Sequence, residues 1–191
     1  MRARLSLVLF AVMATAYAKP ALLQNVPLQW RPTSELRLGA VQMSQAHIQF
    51  LVFQDLRSDK QVIGENLEDD TPKPVTTRDD VGAFVGIHIR ELFDHEGLKT
   101  VDGDGDVTIK GEVTQFYVRE TSTYKSEVGV RLTVTDRAGK TLWSGLASGD
   151  AERFGRSYKL ENYYEVLSDA IVNTVSSMLD SAQFQSALSG H

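Results

Sequence analysis

Two histidines and a glutamate have the spacing in this sequence that first suggests metal chemistry. His88 and His95 lie on one face of a predicted helix, and Glu91 adjoins them. Two turns of helix rise about 10 Å, which is too far for both imidazoles to bind the same ion. We therefore interpret His88 as a histidine at the edge of the core, and we predict no metal site.

An acidic run over 102–106 suggests calcium binding. Asp102, Asp104 and Asp106 match the first three ligand positions of an EF-hand loop. The match then fails, because Val107 stands where that loop needs its glycine and Val113 stands where it needs its bidentate glutamate. The Asp-Gly pairs favour a hairpin turn instead.

A second acidic group lies in the polar connection 58–78. Connections of this length are often mobile or functional in compact domains. The carboxylates could bind a cation, but a solvated loop explains them as well. We predict a mobile loop, and we treat its acidic residues as candidate interaction residues: Glu65, Glu68, Asp69 and Asp70.

No group of residues has the order or spacing of a catalytic site. The chain has no cysteine, which excludes a Cys nucleophile and a thiolate zinc site. A Ser-His-Asp order and a Gly-rich phosphate loop are also missing. We predict a protein that is not an enzyme and carries no cofactor. A hydrolase that uses scattered carboxylates is the remote alternative.

Residues 1–18 have the features of an export signal. Arg2 and Arg4 precede an apolar run over 5–13, and Ala16-Tyr17-Ala18 resembles a cleavage site. The apolar run is shorter than the ~20 residues that span a bilayer. We expect a mature chain that begins at Lys19, has no transmembrane segment and occupies the bacterial periplasm or cell envelope.

The charge pattern bears on possible partners. Removal of Arg2 and Arg4 with the signal changes the formal net charge from -5 to -7. Acidic and basic residues are interspersed, and no basic stripe is present. These features argue against nucleic acid and against an anionic membrane surface as partners.

Three antiparallel strands over 106–149 form the predicted scaffold. A shift of apolar register near 111–115 predicts a bulge in the first strand. Gly139 closes a hairpin to the last strand, which is predicted over 141–149. In the middle strand one face should be buried, because alternate residues are mostly apolar: Tyr124, Ser126, Val128, Val130, Leu132 and Val134.

Two helices carry apolar stripes that should cover this sheet. The first is predicted over 79–96 with Thr77 or Asp79 as its cap, and the second over 160–179. A strand over 47–57 is apolar on both faces, which is typical of a buried strand.

The two ends of the chain and one short element complete the prediction. Residues 19–46 contain three prolines and predict an extended arm, with an edge strand near 26–31. Trp30 should pack onto the domain, because a free indole ring would leave apolar surface in water. A short strand is predicted over 98–101, and a short fraying tail over 184–188.

The order of elements predicts an α+β fold. It is a two-layer sandwich, in which an antiparallel-rich sheet of about four to five strands carries two helices packed on one face. The other face of the sheet is polar. We predict one domain over 47–188, preceded by the arm.

These patterns resemble the YajG-type family of bacterial envelope lipoproteins over 47–188. The resemblance rests on Phe53-x-Asp55-x-Arg57, on Ile63-Gly64, and on the Gly139 hairpin that leads into Leu142-Trp143. It implies an outer-membrane or periplasmic accessory protein without known catalytic residues. The chain departs from the family in lacking a lipidated cysteine. Auxiliary proteins of envelope ABC transport systems have a similar layout and compete for the assignment.

Three functions remain open. The leading hypothesis is a non-catalytic envelope protein that binds another envelope protein through a sheet edge, the acidic loop or the arm. The alternative is a periplasmic carrier of a small apolar or peptidoglycan-like ligand, held in a groove between Tyr163, Tyr164 and the sheet. The remote alternative is the hydrolase. Aromatic residues at helical spacing are also typical of a core.

Overall fold

The computed structural model describes residues 22–36, 45–155 and 158–190, so the predicted export signal over 1–18 lies outside the described residues. Within these described ranges eight strands and three helices follow one another: β1 (His47–Phe50), β2 (Gln54–Asp55), β3 (Val62–Asn66), β4 (Lys73–Thr76), α1 (Val81–His95), β5 (Lys99–Val101), β6 (Val107–Glu120), β7 (Thr123–Asp136), β8 (Thr141–Phe154), α2 (Leu160–Leu179) and α3 (Ala182–Leu188).

The sheet is built on β6, a strand of 14 residues. One edge of β6 pairs antiparallel with β7, which pairs antiparallel with β8. The other edge pairs in parallel with β1, then with β2 and then with β3. Outside these short strands, β5 flanks β1 and β4 flanks β3. The result is one mixed sheet whose long antiparallel part matches the prediction.

The layered arrangement is confirmed, but the predicted number of elements is too low. α1 packs against β2, β5 and β6, whereas α2 packs against β6, β7 and β8, and the two helices contact each other. Among the described residues the sheet has 8 strands instead of four or five, and a third helix is present. Strands β2 to β5 have only 2 to 5 residues, too few to display a clear alternation.

The connection 58–78 is a hairpin, so the prediction of a mobile loop is wrong. β3 and β4 pair antiparallel, and β3 also pairs in parallel with β6. Ile63 and Val75 are fully buried. The acidic and proline residues around them give this segment a polar composition, which conceals these two buried apolar side chains.

The predicted strand over 47–57 is interrupted. Leu51 donates its backbone N–H to Ile109 O at 3.0 Å, and Leu56 donates to Val113 O at 2.9 Å, so both ends stay beside β6. Between them the chain bulges, and Phe53 is buried while Leu51 and Val52 face solvent. Bulges at a sheet edge redirect side chains in this way.

The acidic run over 102–106 is not a hairpin turn. β5 and β6 lie on opposite sides of β1, and both are parallel to it. The acidic segment 102–106, which connects β5 to β6, therefore crosses over one end of β1. The Asp106 carboxylate accepts the backbone N–H of His47 at 2.8 Å and lies 2.8 Å from the Arg137 guanidinium. The hydrogen bond from His47 lowers the pKa of Asp106.

Both predicted helices are present. The α1 stripe is buried as predicted, but the Asp80 side chain caps the helix by accepting Ala83 N–H at 3.0 Å. Neither Thr77 nor Asp79 fills that role. The prediction of a fraying tail is wrong, because α3 packs against the sheet. The Phe184 ring is fully buried, and its centroid lies 5.0 Å from that of the Trp143 ring in β8.

The long strands follow the predicted pattern closely. The inward face of β7 is buried, the register shift in β6 occurs between Val113 and Gln115, and Gly139 has φ +80° in the hairpin. Strand β8 continues to Phe154, beyond the predicted end at Gly149.

The described part of the arm, residues 22–36, is docked onto the domain. Val26 N–H donates to Thr76 O at 2.8 Å, and Thr76 N–H donates to Leu23 O at 3.0 Å, so the arm pairs with the outer edge of β4. Trp30 stacks on His88 with ring centroids 4.2 Å apart. The predicted packing of Trp30 onto the domain is therefore confirmed.

One carboxylate holds the far end of the arm. Asp169 accepts Thr33 N–H at 2.7 Å, Thr33 Oγ1–H at 2.6 Å, Ser34 N–H at 2.8 Å and Ser34 Oγ–H at 2.9 Å. We expect Asp169→Ala to reduce hydrogen-exchange protection at Thr33 and Ser34 at least about ten-fold, because hydrogen bonds to a charged group contribute about 1.5–3 kcal/mol each. Asp104→Ala is the control, and equal protection in both variants would contradict this role for Asp169.

Candidate functional site

An exposed apolar patch lies where α1 meets the interrupted edge of the sheet. Among the described residues, seven large apolar side chains are exposed, and four of them form this patch: Leu51 at 44%, Val52 at 78%, Leu56 at 49% and Ile87 at 55%. We call these four residues the apolar patch. Exposed apolar clusters of this kind mark interaction surfaces in soluble proteins.

A small pocket opens within the patch. Its volume is about 160 Å³. The residues that line it are apolar except for one arginine at the rim: Phe50, Leu51, Val52, Phe53, Ala83, Gly86, Ile87 and Arg90. A wider polar groove of about 720 Å³ adjoins it and shares Val52 and Phe53, with Leu56 on its wall. The patch therefore joins an apolar slot to a polar channel.

Phe53 anchors the segment that carries the patch. Its ring lies between α1 and β6, where two glycines leave room for it. A Cβ at Gly86 would lie 3.0 Å from the Phe53 ring, and a Cβ at Gly111 would lie 2.3 Å from it. Because Phe53 points inward at the bulge, Leu51 and Val52 are directed to solvent.

Gly82 brings the first turn of α1 against the same segment. A Cβ there would lie 2.6 Å from the Phe53 carbonyl oxygen and 2.8 Å from the Asp55 nitrogen. The helix therefore contacts the backbone of β2 directly. This close approach places Ile87 beside Val52, on a common surface.

A buried ion pair supports the patch from behind. The Arg57 guanidinium lies 2.9 Å from the Asp55 carboxylate, and both side chains are at most 10% exposed. Arg57 also donates to Val62 O at 2.8 Å and to Lys60 O at 2.7 Å, which ties the turn after β2 to β3. These bonds hold Leu56 in a fixed position.

The predicted acidic residues lie away from the patch, on the β3–β4 hairpin. Glu65 is in β3, and its carboxylate lies 3.3 Å from the Arg119 guanidinium. Glu68, Asp69 and Asp70 are exposed in the turn, where Asp69 forms an ion pair with Lys73. The hairpin thus presents a charged surface, on which Glu65 and Asp69 form ion pairs.

The two predicted tyrosines belong to the core. Tyr163 is fully buried, and the rings of Tyr124 and Tyr158 pack edge-on against it with centroids 5.2 and 6.4 Å away. Tyr164 is also buried, under the Arg31 guanidinium at 5.7 Å from the ring centroid. These rings fill the space in which the ligand groove was predicted.

A buried carboxylate organises the surroundings of Tyr163. Glu120 is fully buried and accepts the Tyr163 hydroxyl at 2.8 Å and the Tyr158 N–H at 2.7 Å. The Tyr158 hydroxyl donates to Pro74 O at 3.1 Å and accepts Leu23 N–H at 3.0 Å. Glu120 therefore connects β6, α2, β4 and the arm.

This arrangement predicts a loss of stability in alkali. Burial raises the pKa of Tyr163 above its ordinary value of 10.0, so the folded state keeps a proton that the unfolded state releases above pH 10. The tyrosine's contribution is complete below that pH and falls as pH rises, by about 1.4 kcal/mol per pH unit. We expect Tyr163→Phe to flatten this slope by that amount in denaturant titrations.

The same substitution should also destabilise the protein at neutral pH. Tyr163→Phe leaves a buried Glu120 oxygen without its donor, which costs about 1.5–3 kcal/mol. Tyr117→Phe is a useful comparison, because burial also raises the pKa of Tyr117, to about 12, but without the Glu120 contact. An unchanged alkaline slope in Tyr163→Phe would refute the assignment.

The apolar patch was not identified from the sequence. Ile87 lies off the buried stripe of α1. An apolar residue on the polar side of an amphipathic helix is unusual, so Ile87 could have indicated an interaction surface from the sequence. Leu51 and Val52 carried no such signal. The sequence predicts that they belong to a buried strand, and only the bulge at Phe53 exposes them.

In the described ranges 22–36, 45–155 and 158–190, no three His, Asp or Glu side chains are placed to hold a metal ion. No helix in these ranges has both the length and the apolar composition needed to cross a membrane.

No family model matches the chain, and no curated protein matches it in sequence. Solved structures do resemble it. The lipoprotein GNA1162 of Neisseria meningitidis has TM-score 0.38 and 14% identity, covering 59% of this chain and 88% of that one. The PelC dodecamer of Paraburkholderia phytofirmans has TM-score 0.47 and 13% identity, covering 78% and 100%.

A third structure is similar over most of both chains. It is protein XCC0632 of Xanthomonas campestris, described under the family model DUF330, with TM-score 0.59 and 8% identity. The match covers 81% of this chain and 94% of XCC0632. At this identity the similarity concerns backbone architecture, and we conclude that the two proteins share a fold.

Proposed function

We propose that this chain is a non-catalytic accessory protein of the bacterial cell envelope that binds a partner protein through the apolar patch. The observation that carries the proposal is the concentration of four exposed apolar side chains, from β1–β2 and α1, at one place on the surface. An envelope location is supported by the predicted export signal over 1–18 and by the resemblance to YajG-type proteins.

The construction of the patch supports a binding role. Phe53, the Asp55–Arg57 ion pair and the glycine contacts of α1 hold its backbone in place. A rigid surface loses little conformational entropy when a partner binds, so more of the contact energy appears as affinity. Exposed apolar groups that served only stability would instead turn inward, as Phe53 does.

Site-specific photocrosslinking tests the proposal. The photoreactive residue p-benzoylphenylalanine is placed at Val52 or at Ile87, and the protein is irradiated in its native envelope. We expect one defined protein adduct at both positions. The same residue at Leu146, which is 66% exposed on β8, is the control and should give no such adduct.

Two variants separate the patch from the acidic hairpin. Ile87→Asp introduces a charge into the patch and should abolish the Val52 adduct. The second variant changes the four acidic candidates to amides and should leave the adduct intact: Glu65, Glu68, Asp69 and Asp70. Loss of the adduct only in the amide variant would move the interface to the hairpin and overturn the proposal.

A further inference from the structure

We infer that the pocket within the apolar patch receives one large apolar side chain, phenylalanine or leucine, from an extended segment of the partner, and that this segment carries a carboxylate two residues away that binds Arg90. The inference rests on the proposed function, since it specifies the chemistry of the partner at the same surface. The size of the pocket, its one charge and an open backbone edge support it.

The size of the pocket matches a single side chain. Its volume is about 160 Å³. An apolar cavity of about 150 Å³ accommodates benzene, whereas sites for drug-sized ligands measure about 300–1,000 Å³. The pocket by itself is therefore large enough for one aromatic ring or branched aliphatic chain but too small to enclose a drug-sized ligand.

The walls of the pocket suit an anchoring side chain. Phe50 and Phe53 line it on the sheet side, and Ala83, Gly86 and Ile87 line it on the helix side. The small residues at 83 and 86 leave the space open. In protein interfaces a few large side chains buried in such pockets supply most of the binding energy.

Arg90 supplies the one charge at the rim. Its Nη1 lies 2.6 Å from Asp102 Oδ1, and its Nε donates to Thr100 Oγ1 at 3.2 Å. Asp102 is 89% exposed at its side chain, so this ion pair adds little stability and can be exchanged. A guanidinium binds a carboxylate with two parallel hydrogen bonds, which makes an acidic partner residue the matching group.

The backbone beside the pocket is open for pairing. In the part of the chain that the structure describes, neither the N–H nor the C=O of Val52 has a hydrogen-bond partner. Val52 lies at the sheet edge between β5 and β4, which flank β1 and β3 but leave this stretch uncovered. An extended segment can add to such an edge. Its alternate side chains then lie on one face, so apolar and acidic residues two apart point the same way.

The test uses two acetylated pentapeptide amides, Thr-Phe-Thr-Glu-Thr and Thr-Glu-Thr-Phe-Thr, which cover both orders of the pair. They are titrated into the isotope-labelled protein, and amide chemical shifts are followed by NMR. We expect one of them to give saturable shifts at Val52, Ala83, Gly86 and Ile87. Replacing its Phe by Ala should weaken binding at least about ten-fold, and replacing Glu by Gln up to about five-fold.

Two protein variants locate the effect. Ala83→Leu fills the pocket and should abolish the shifts, and an unchanged thermal midpoint verifies that the variant is folded. Arg90→Gln should weaken the Glu peptide up to about five-fold and leave the Gln peptide unaffected. Equal shifts with the Ala peptide, or shifts confined to β8, would overturn the inference.

Hexanoate, a small free amphiphile, tests the alternative that the pocket binds a small ligand. Hexanoate carries the same apolar and anionic groups without a peptide backbone. If hexanoate bound the pocket more tightly than either peptide, the pocket would be a small-ligand site and the inference would be wrong. A Val52 crosslink without peptide binding would leave the proposed function standing and refute only this inference, whereas absence of the crosslink would refute the proposed function itself.

Discussion

Replacing Phe53 with alanine is expected to lower the free energy of unfolding by about 3–5 kcal/mol. The ring is buried between α1 and β6, and Gly82 already brings the helix into contact with the strand backbone. The helix therefore cannot move closer to fill the cavity, so the cost should lie in the upper part of the range. Denaturant unfolding followed by circular dichroism measures the change.

The adjacent Val52→Ala is the matched control for Phe53→Ala. Val52 is 78% exposed, so its truncation should change the free energy of unfolding by less than about 0.5 kcal/mol. Phe53→Ala should also abolish peptide binding, because the bulge that displays Leu51 and Val52 loses its anchor. A cost below about 1 kcal/mol for Phe53→Ala would mean that the ring does not hold this segment.

Gly149→Ala is the second substitution with a large expected effect. A Cβ at position 149 would lie 2.3 Å from the Thr174 nitrogen and 2.4 Å from the Ala170 oxygen. Both atoms belong to the backbone of α2, which cannot rotate away as a side chain could. We expect α2 to shift from β8, at a cost of about 3 kcal/mol, near the upper end for overpacking.

Substitutions at two other glycines provide comparisons for the cost of Gly149→Ala. Gly103→Ala places its Cβ in open space and should be neutral within about 0.5 kcal/mol. At Gly145 a Cβ would lie 2.5 Å from the Trp143 ring, which can move, so the cost should be intermediate. Thermal unfolding of the three variants gives the order directly. Equal midpoints for Gly149→Ala and Gly103→Ala would contradict the close approach of α2.

The opposite edge of the sheet is less suited to a partner than the apolar patch. The Asn173 side chain donates to Asp150 O at 2.7 Å and so occupies one acceptor of β8. Asp150, Glu152 and Arg153 are exposed along the same strand. Charged residues on edge strands discourage pairing with other chains. Leu146 and Phe154 are also exposed on β8, but they are eight residues apart, whereas the apolar neighbours of Val52 line one pocket.

The buried Glu120 shows that Tyr163 has a structural role. Tyr163 and Tyr164 had the spacing of core residues and also the chemistry of a ligand groove, and the sequence supported both. Glu120 lies on the inward face at the end of β6 and accepts the Tyr163 hydroxyl. The contact between β6 and α2, which are far apart in sequence, gives Tyr163 its structural role.

The acidic hairpin illustrates a different difficulty. The residues around Glu65 and Asp70 were polar enough to predict a loop, and nothing local indicated strands. β3 forms because β6 extends far enough to pair with it at Val118–Glu120. Its pairing energy comes from a segment more than fifty residues away, as the register of Gly64 with Val118 shows. The local β-strand propensity of a segment does not predict such a distant contact.

The sequence by itself determined the long elements, because each buries one face and its period records that burial. The alternation in β7, the stripes of α1 and α2 and the Gly139 turn all follow from local patterns. Only the tertiary structure decided the short strands and the apolar patch. Leu51 and Val52 are exposed because Phe53 fits among glycines from α1 and β6, and the packing of segments far apart in sequence determines which neighbouring side chain is buried.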